Sequence, residues 1–295
     1  MKNKFKFLAA IFSFMMFLGS FGGCKPKNEL TFLTFNICSS SSSGSDSDKV
    51  TSWAQRREAV LDLINDSGAD IIALQEVSNW ENEETSQRFY FENNLKSNYE
   101  LVYFGKEVAL ATIYDKTVFN LVSQEKYWFS DTPDEYSNGW DGVNYRAAAT
   151  LILEHKATGE KVRAINTHGP LDDEGNVKAY ELVAERSLSG ENYPFTVMMG
   201  DFNATPNKLG YVPIAEKLQD CRLSAEDSPN RESRTWNGYK DTAKGILDYC
   251  FVSKSESVEV LTYRVRDEKF GKGNYISDHF AVQVSVKMTS WNNET

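Results

Sequence analysis

The sequence predicts a mixed α/β protein with several antiparallel strand pairs. Two observations carry this. Apolar runs of strand length alternate with stretches of helical periodicity, and several of those runs follow one another with no helix between, which implies hairpins. A third observation concerns the ends of the runs. Five of them meet acids, amides or histidines, which sets polar chemistry where loops open onto a cleft.

Residues 1–23 read as a secretory signal. Lys2, Lys4 and Lys6 precede an apolar run from Phe7 to Leu18, and Gly19-Ser20-Phe21-Gly22-Gly23 forms a small-residue end. The run is too short for a membrane span. Cys24 follows directly, as in a bacterial lipoprotein signal, where the cysteine carries the lipid. We expect an exported protein held at the cell envelope, and so at the membrane, through a lipid on Cys24, with simple secretion as the alternative.

The whole chain carries −10. Residues 1–23 hold three lysines and no acids, so the remainder has 29 basic and 42 acidic residues, or −13. Such a body repels polyanions over most of its surface, although a bound metal can invert the field locally. Cys38, Cys221 and Cys250 are scattered and odd in number, which argues against a disulfide framework and a paired-cysteine zinc site. Cys250, among Ile246, Leu247, Tyr249, Phe251 and Val252, is expected in the core.

The elements follow in order. Leu30–Ile37 is a strand, and the serine-rich stretch Ser39–Ser47 reads as a flexible loop. Thr51–Ser67 is a helix, with Trp53, Val60, Leu61 and Ile64 at helical spacing and Gly68 at its end. A short buried strand, Asp70–Leu74, precedes a helix at Thr85–Lys96. Strands follow at Glu100–Phe104, Ala109–Tyr114, Val118–Phe129, Ala147–His155 and Val162–Thr167. His155 opens a polar turn and is expected to be exposed. Val177–Leu188 is a helix. Phe195 to Met199 is a buried strand that stops at Gly200. Beyond it Asp201 and Asn203 share one side, Phe202 turns away, and Pro206 prevents continuation. Leu209–Leu218 is helical, and Leu247–Val252, Val258–Val265 and Phe280–Val286 are strands. The polar tail, residues 289–295, is expected to fray. The length suits one large domain or two small ones.

The polar strand ends carry motifs: Thr34-Phe35-Asn36-Ile37, Leu74-Gln75-Glu76-Val77, Asn166-Thr167-His168, Gly200-Asp201-Phe202-Asn203, Leu247-Asp248-Tyr249 and Ser277-Asp278-His279. In type and order they resemble the endonuclease/exonuclease/phosphatase (DNase I-like) superfamily, over residues 30–287. Trp128-Phe129-Ser130, Gly139-Trp140-Asp141 and Thr235-Trp236-Asn237-Gly238 resemble a bacterial exported subgroup. The resemblance implies one domain, residues 28–288, folded as a four-layer sandwich of two packed mixed β-sheets flanked by helices. Its site lies at one edge, where the strands end.

The implied activity is metal-dependent phosphoester hydrolysis, most simply a phosphodiesterase using a metal-activated water. The alternative is a phosphomonoesterase or a sphingomyelinase- or phospholipase-C-like hydrolase. Mg²⁺, or Mn²⁺, suits hard oxygen ligands, expected from Glu76 with Asn36 beside it and Asp278, or at a second ion from Asp201 and Asn203. His279, oriented by Asp248, is the expected general base, and Asp201 is its rival. Asn203 and Asn36 could hydrogen-bond phosphate or water. His168, as imidazolium, would stabilise the transition state or protonate the leaving oxygen. Glu107 is the nearest candidate to support His168. Arg146 would contact phosphate, and Trp236, with Trp140 and Tyr239, could stack on substrate. The expected partner is a small diester, a single-stranded nucleic acid or a lipid headgroup, bound by a monomer.

Overall fold

The computed structural model describes residues 28–41, 51–143, 146–189, 195–242 and 245–291. The signal segment, Cys24 and most of the serine-rich loop lie outside them.

The elements are β1 (Glu29–Asn36), α1 (Trp53–Asp66), β2 (Ile71–Gln75), α2 (Gln87–Asn94), β3 (Tyr99–Tyr103), β4 (Ala111–Asp115), β5 (Phe119–Trp128), β6 (Ala147–His155) and β7 (Lys161–His168). Then come α3 (Asp173–Arg186), β8 (Phe195–Asp201), a 3-10 turn at Leu209–Tyr211, α4 (Val212–Lys217), β9 (Leu218–Asp220) and α5 (Cys221–Ser224). The chain closes with β10 (Asp248–Ser253), β11 (Val258–Arg266), β12 (Lys269–Phe270), β13 (Asn274–Tyr275) and β14 (Ala281–Met288).

Two six-stranded sheets form, ordered β11-β14-β1-β2-β4-β3 and β5-β6-β7-β8-β10-β9. Each is antiparallel except for one central parallel pair, β1 with β2 and β7 with β8. A parallel pair needs a crossover, and α1 and α3 supply the two. Side-chain alternation then sorts each strand into layers. Phe32, Ile71 and Ala73 face the second sheet's Ala149, Val197, Met199 and Cys250 in one core. Leu33, Phe35, Ile72 and Leu74 face outward under α1 and α2. Ile165, Met198, Tyr249 and Phe251 do the same under α3 and α4. This is the DNase I-like four-layer α/β sandwich. Strands buried on both faces are why β1, β2 and β8 read as unbroken apolar runs.

Several boundaries differ from expectation for local reasons. Helix α3 begins four residues early, because the Asp172 side chain accepts the Gly175 N–H and caps it. Leu218 leaves the helical segment to start β9, which pairs with β10. The hairpin β12–β13 turns on Gly271 and Gly273, both at positive φ. His155 is buried rather than exposed: its Nδ1 meets Thr158 Oγ1 at 2.9 Å and its ring lies 4.9 Å from that of Trp291. The tail is therefore not frayed at its start. Thr289 N–H donates to Ser257 O, and Trp291 is buried. Its apolar ring outweighs the polar residues beside it.

Candidate active site

Register brings the site together. His168 pairs with Asp201 across β7 and β8, and Asp201 pairs with Asp248 across β8 and β10, so three titratable residues stand level. In the facing sheet Asn36 is level with Gln75, and Glu76 follows at once. His279 precedes β14, bridged to Trp236. Gly200 lets β8 run close to β7. Its φ is +152°, and a Cβ there would stand 2.1 Å from Thr167 O. Cys38, Glu76 and Asn203, none of them glycine, all have left-handed φ at this edge (56°, 61° and 50°). Such conformations cost on the order of 1–3 kcal/mol each and persist where surroundings over-determine them.

Asn36 Nδ2 donates to Glu76 Oε1 (3.1 Å) and to Asp201 Oδ2 (3.0 Å), and its Oδ1 accepts the Cys38 N–H (3.1 Å). Glu76 Oε2 accepts the Ser39 N–H at 2.9 Å. Asp201 Oδ1 accepts the Asn203 N–H (2.9 Å), while Asn203 Nδ2 donates to Gly169 O (2.9 Å). Asp201 Oδ2 lies 3.6 Å from Nε2 of both His168 and His279. His279 Nδ1 is 2.8 Å from Asp248 Oδ2. Arg146 Nη1 is 2.6 Å from His168 Nε2, and its Nε is 3.2 Å from Asp141 Oδ2.

The Thr235–Gly238 motif is a brace for this cluster. Thr235 Oγ1 accepts the N–H groups of Leu247 and Asp248, and Asn237 and Gly238 donate to Asp278 O. Beneath it the buried Arg56 guanidinium donates to the carbonyls of Ile37, Cys38 and Ile276, pinning both approaches to the site.

The charges are set by burial and neighbours. Burial pushes the Asp201 carboxyl up to about 6, against the pull of His279, with Asp248 adding to the rise. Burial alone would favour a neutral His279, but Asp248 and Asp201 outweigh it and hold the ring well above its ordinary value. His168 goes the other way. Burial, the Arg146 guanidinium and His279 keep it well below. A guanidinium can only donate, so His168 Nε2 accepts and the ring is the neutral Nδ1–H tautomer. His168 is therefore not the imidazolium expected from the sequence.

The donor set suits a hard divalent cation. Glu76 lines the cleft. Burial pushes up the Asp278 carboxyl, and the charge of Glu76 adds to this. Asp248 Oδ1 is buried with no hydrogen-bond partner among the described residues. Carboxylate oxygens that repel one another and retain free lone pairs are the donors such an ion takes. Asp201, Asp248 and His279 also present three ligand atoms within 4.8 Å of one another, a set that could hold a metal ion.

Other candidates from the sequence fall elsewhere. Glu107 lies in the turn between β3 and β4 and does not reach His168, whose Nδ1 is buried without a partner among the described residues. Trp140 is pinned by its Nε1 to Asp131 (2.8 Å) and packs on the second sheet's outer core. Tyr239 is buried, and Trp236 is half-buried. A cleft of about 280 Å³ instead brings Glu76, Arg146 and His168 together with Trp80, Lys106 and Val143. Trp80 went unremarked in the sequence, yet it stands alone among polar residues from Ser78 to Glu84, where no core is within reach.

Two packed sheets whose strand ends gather acids, amides, histidines and a buried arginine define a phosphoester hydrolase. The chain belongs to the endonuclease/exonuclease/phosphatase family, whose model matches residues 33–279. It is 27% identical over 239 residues to an uncharacterized protein of Acanthamoeba polyphaga mimivirus, covering 77% of this chain and 82% of that one. It is 25% identical over 272 residues to the CCR4-Not complex 3′-5′-exoribonuclease subunit Ccr4 of Aspergillus niger, where 72% of this chain matches only 39% of the relative. Among solved structures it resembles an endonuclease/exonuclease/phosphatase family protein from Bacteroides thetaiotaomicron, with a TM-score of 0.76, 23% identity, and 90% and 98% of the two chains covered. It also resembles a mannosyl-6-phosphatase of that organism, with a TM-score of 0.74, 23% identity, and 87% and 99% covered. At these identities the likeness concerns the fold.

Proposed function

We propose that the protein is a metal-dependent phosphodiesterase in which water is the nucleophile. One observation carries the reading: a single buried oxygen, Asp201 Oδ2, lies 3.6 Å from two histidine nitrogens and 3.0 Å from Asn36 Nδ2. Glu76 and Asp278 would hold Mg²⁺ or Mn²⁺, with Asn36 orienting Glu76, and the ion would neutralise charge on the phosphoryl oxygens. Asp201, poised near neutrality, takes a proton from water. Asp248 holds His279 through Nδ1, which leaves its Nε2–H able to protonate the leaving oxygen. Neutral His168 steadies Arg146 against the phosphate.

The diester follows from charge. Arg146 is already paired with Asp141, so the cleft has little fixed positive charge for a dianion. Lys106 favours the second reading, a phosphomonoesterase. The relatives include both an exoribonuclease subunit and a sugar phosphatase, so neither ester type is foreign to the fold. The test is hydrolysis of bis-p-nitrophenyl phosphate and p-nitrophenyl phosphate with Mg²⁺. Higher kcat/KM for the diester is expected, and the reverse would establish the second reading. EDTA should abolish turnover and Mg²⁺ restore it. Full activity in EDTA would sink both.

A further inference from the structure

We infer that Asp141 is a positioning residue, which fixes the Arg146 guanidinium for the phosphate before substrate arrives. This rests on the phosphoester-hydrolase reading of the site. Arg146 Nε lies 3.2 Å from Asp141 Oδ2, and the two side chains are only 8% and 4% exposed. The carboxylate is itself held. Its Oδ1 accepts the Val143 N–H and its Oδ2 the Leu171 N–H, both at 3.0 Å. Leu171 follows closely on His168, whose Nε2 accepts from Arg146 Nη1 at 2.6 Å. A planar group anchored at Nε and again at Nη1 has its plane fixed.

The Gly139-Trp140-Asp141 motif has no part in the chemistry proposed above, and this role accounts for it. Phe129 sets the backbone: its N–H donates to Arg146 O (2.9 Å) and its carbonyl accepts the Trp140 N–H (3.1 Å). A Cβ on Gly139 would stand 2.7 Å from Val143 O, 3.0 Å from Asp141 Oδ1 and 3.4 Å from Arg146 Cβ, so the glycine lets the pair close. In the surface pairs Arg186–Asp134 and Lys178–Glu174 the acid is 73% and 80% exposed, a counter-charge able to swing away. Asp141 is buried and tied to two backbone N–H groups, so it holds its partner to one place. Ordering a long arginine side chain as substrate binds costs affinity. A guanidinium set in advance meets the phosphate without that cost.

The test is a double-mutant cycle on kcat/KM for bis-p-nitrophenyl phosphate with Mg²⁺. Asp141→Asn should cost about fivefold in the wild type, because its amide sets a donor against a donor or loses a backbone N–H. In an Arg146→Gln background the same change should cost less than about twofold, since the group it positions is already gone. A merely structural role would cost the same in both backgrounds, and that result overturns the proposal. So does an Asp141→Asn enzyme with the wild-type rate. Arg146→Lys tests it with Asp141 intact. Lysine keeps the charge but offers no planar fork to Asp141 and His168, so it should fall within about twofold of Arg146→Gln. A lysine enzyme as fast as the wild type also overturns the proposal. A wild type that hydrolyses no phosphoester with Mg²⁺ defeats the underlying reading, and this one with it.

Discussion

His168 and His279 flank Asp201 almost symmetrically. Both rings are buried, and both place Nε2 3.6 Å from the same carboxylate oxygen. They nevertheless titrate in opposite directions. The difference lies in each ring's other partner, which meets His168 at Nε2 itself and His279 at Nδ1. His168 meets the Arg146 guanidinium, which disfavours a second positive charge, and His279 meets the Asp248 carboxylate, which rewards one. Proximity to Asp201 does not decide what a histidine does here. The third residue does, and each third residue comes from a different strand end.

Breaking the His279 side should cost most. His279→Ala should lower kcat at least ~10²-fold while the circular dichroism spectrum stays native, since it removes the proton donor. A rate within threefold of wild type would reject its role. Asp248→Asn and Arg146→Gln should sharpen the contrast. The first takes away the carboxylate that raises His279, and the second the cation that lowers His168, so NMR titration should show the two rings moving towards each other. Arg146→Gln should also slow turnover by about tenfold or more through lost phosphate contact. Rings that hold their wild-type values would show that neither Asp248 nor Arg146 sets them.

Asp201 belongs to both sides and supplies the pH dependence. Its carboxyl, raised to about 6, must be ionised to accept a proton. Below that pH it is protonated, so kcat/KM should fall by about tenfold per pH unit, and above it the profile should level off. A profile flat down to pH 4.5 would remove Asp201 as the base. The smallest effect should come from Glu107→Ala. With no contact to His168, it should change kcat by less than about twofold.

Most of this architecture was legible because its signals are local. An apolar run that stops at Asn36, at Glu76 or at Asp201 declares a buried strand and a polar end in the same few residues. Helix α3 was misjudged by four residues because the cap at Asp172 and the acids after it look like a turn. His155 and Trp291 were misplaced for another reason. They bury each other although they lie far apart in the sequence, and no window sees both. The protonation of His168 was equally hidden, since only folding sets Arg146 against it. Trp80 was legible in principle, as a large ring with nowhere to hide.

Asn36 has a consequence beyond orienting Glu76. Its amide spans the seam between the sheets, and level with it on the next strand the buried Gln75 Nε2 spans it again, 2.8 Å from Asn166 Oδ1. The apolar faces on either side are greasy and could stack at more than one offset. The amides could not. A slide of one strand position would strand these donors and acceptors in a dry interior, at about 1–3 kcal/mol for each group left unmet. They act as dowels, locating one half of the sandwich against the other, and the spacing they fix is the spacing across which water, phosphate and proton must be aligned.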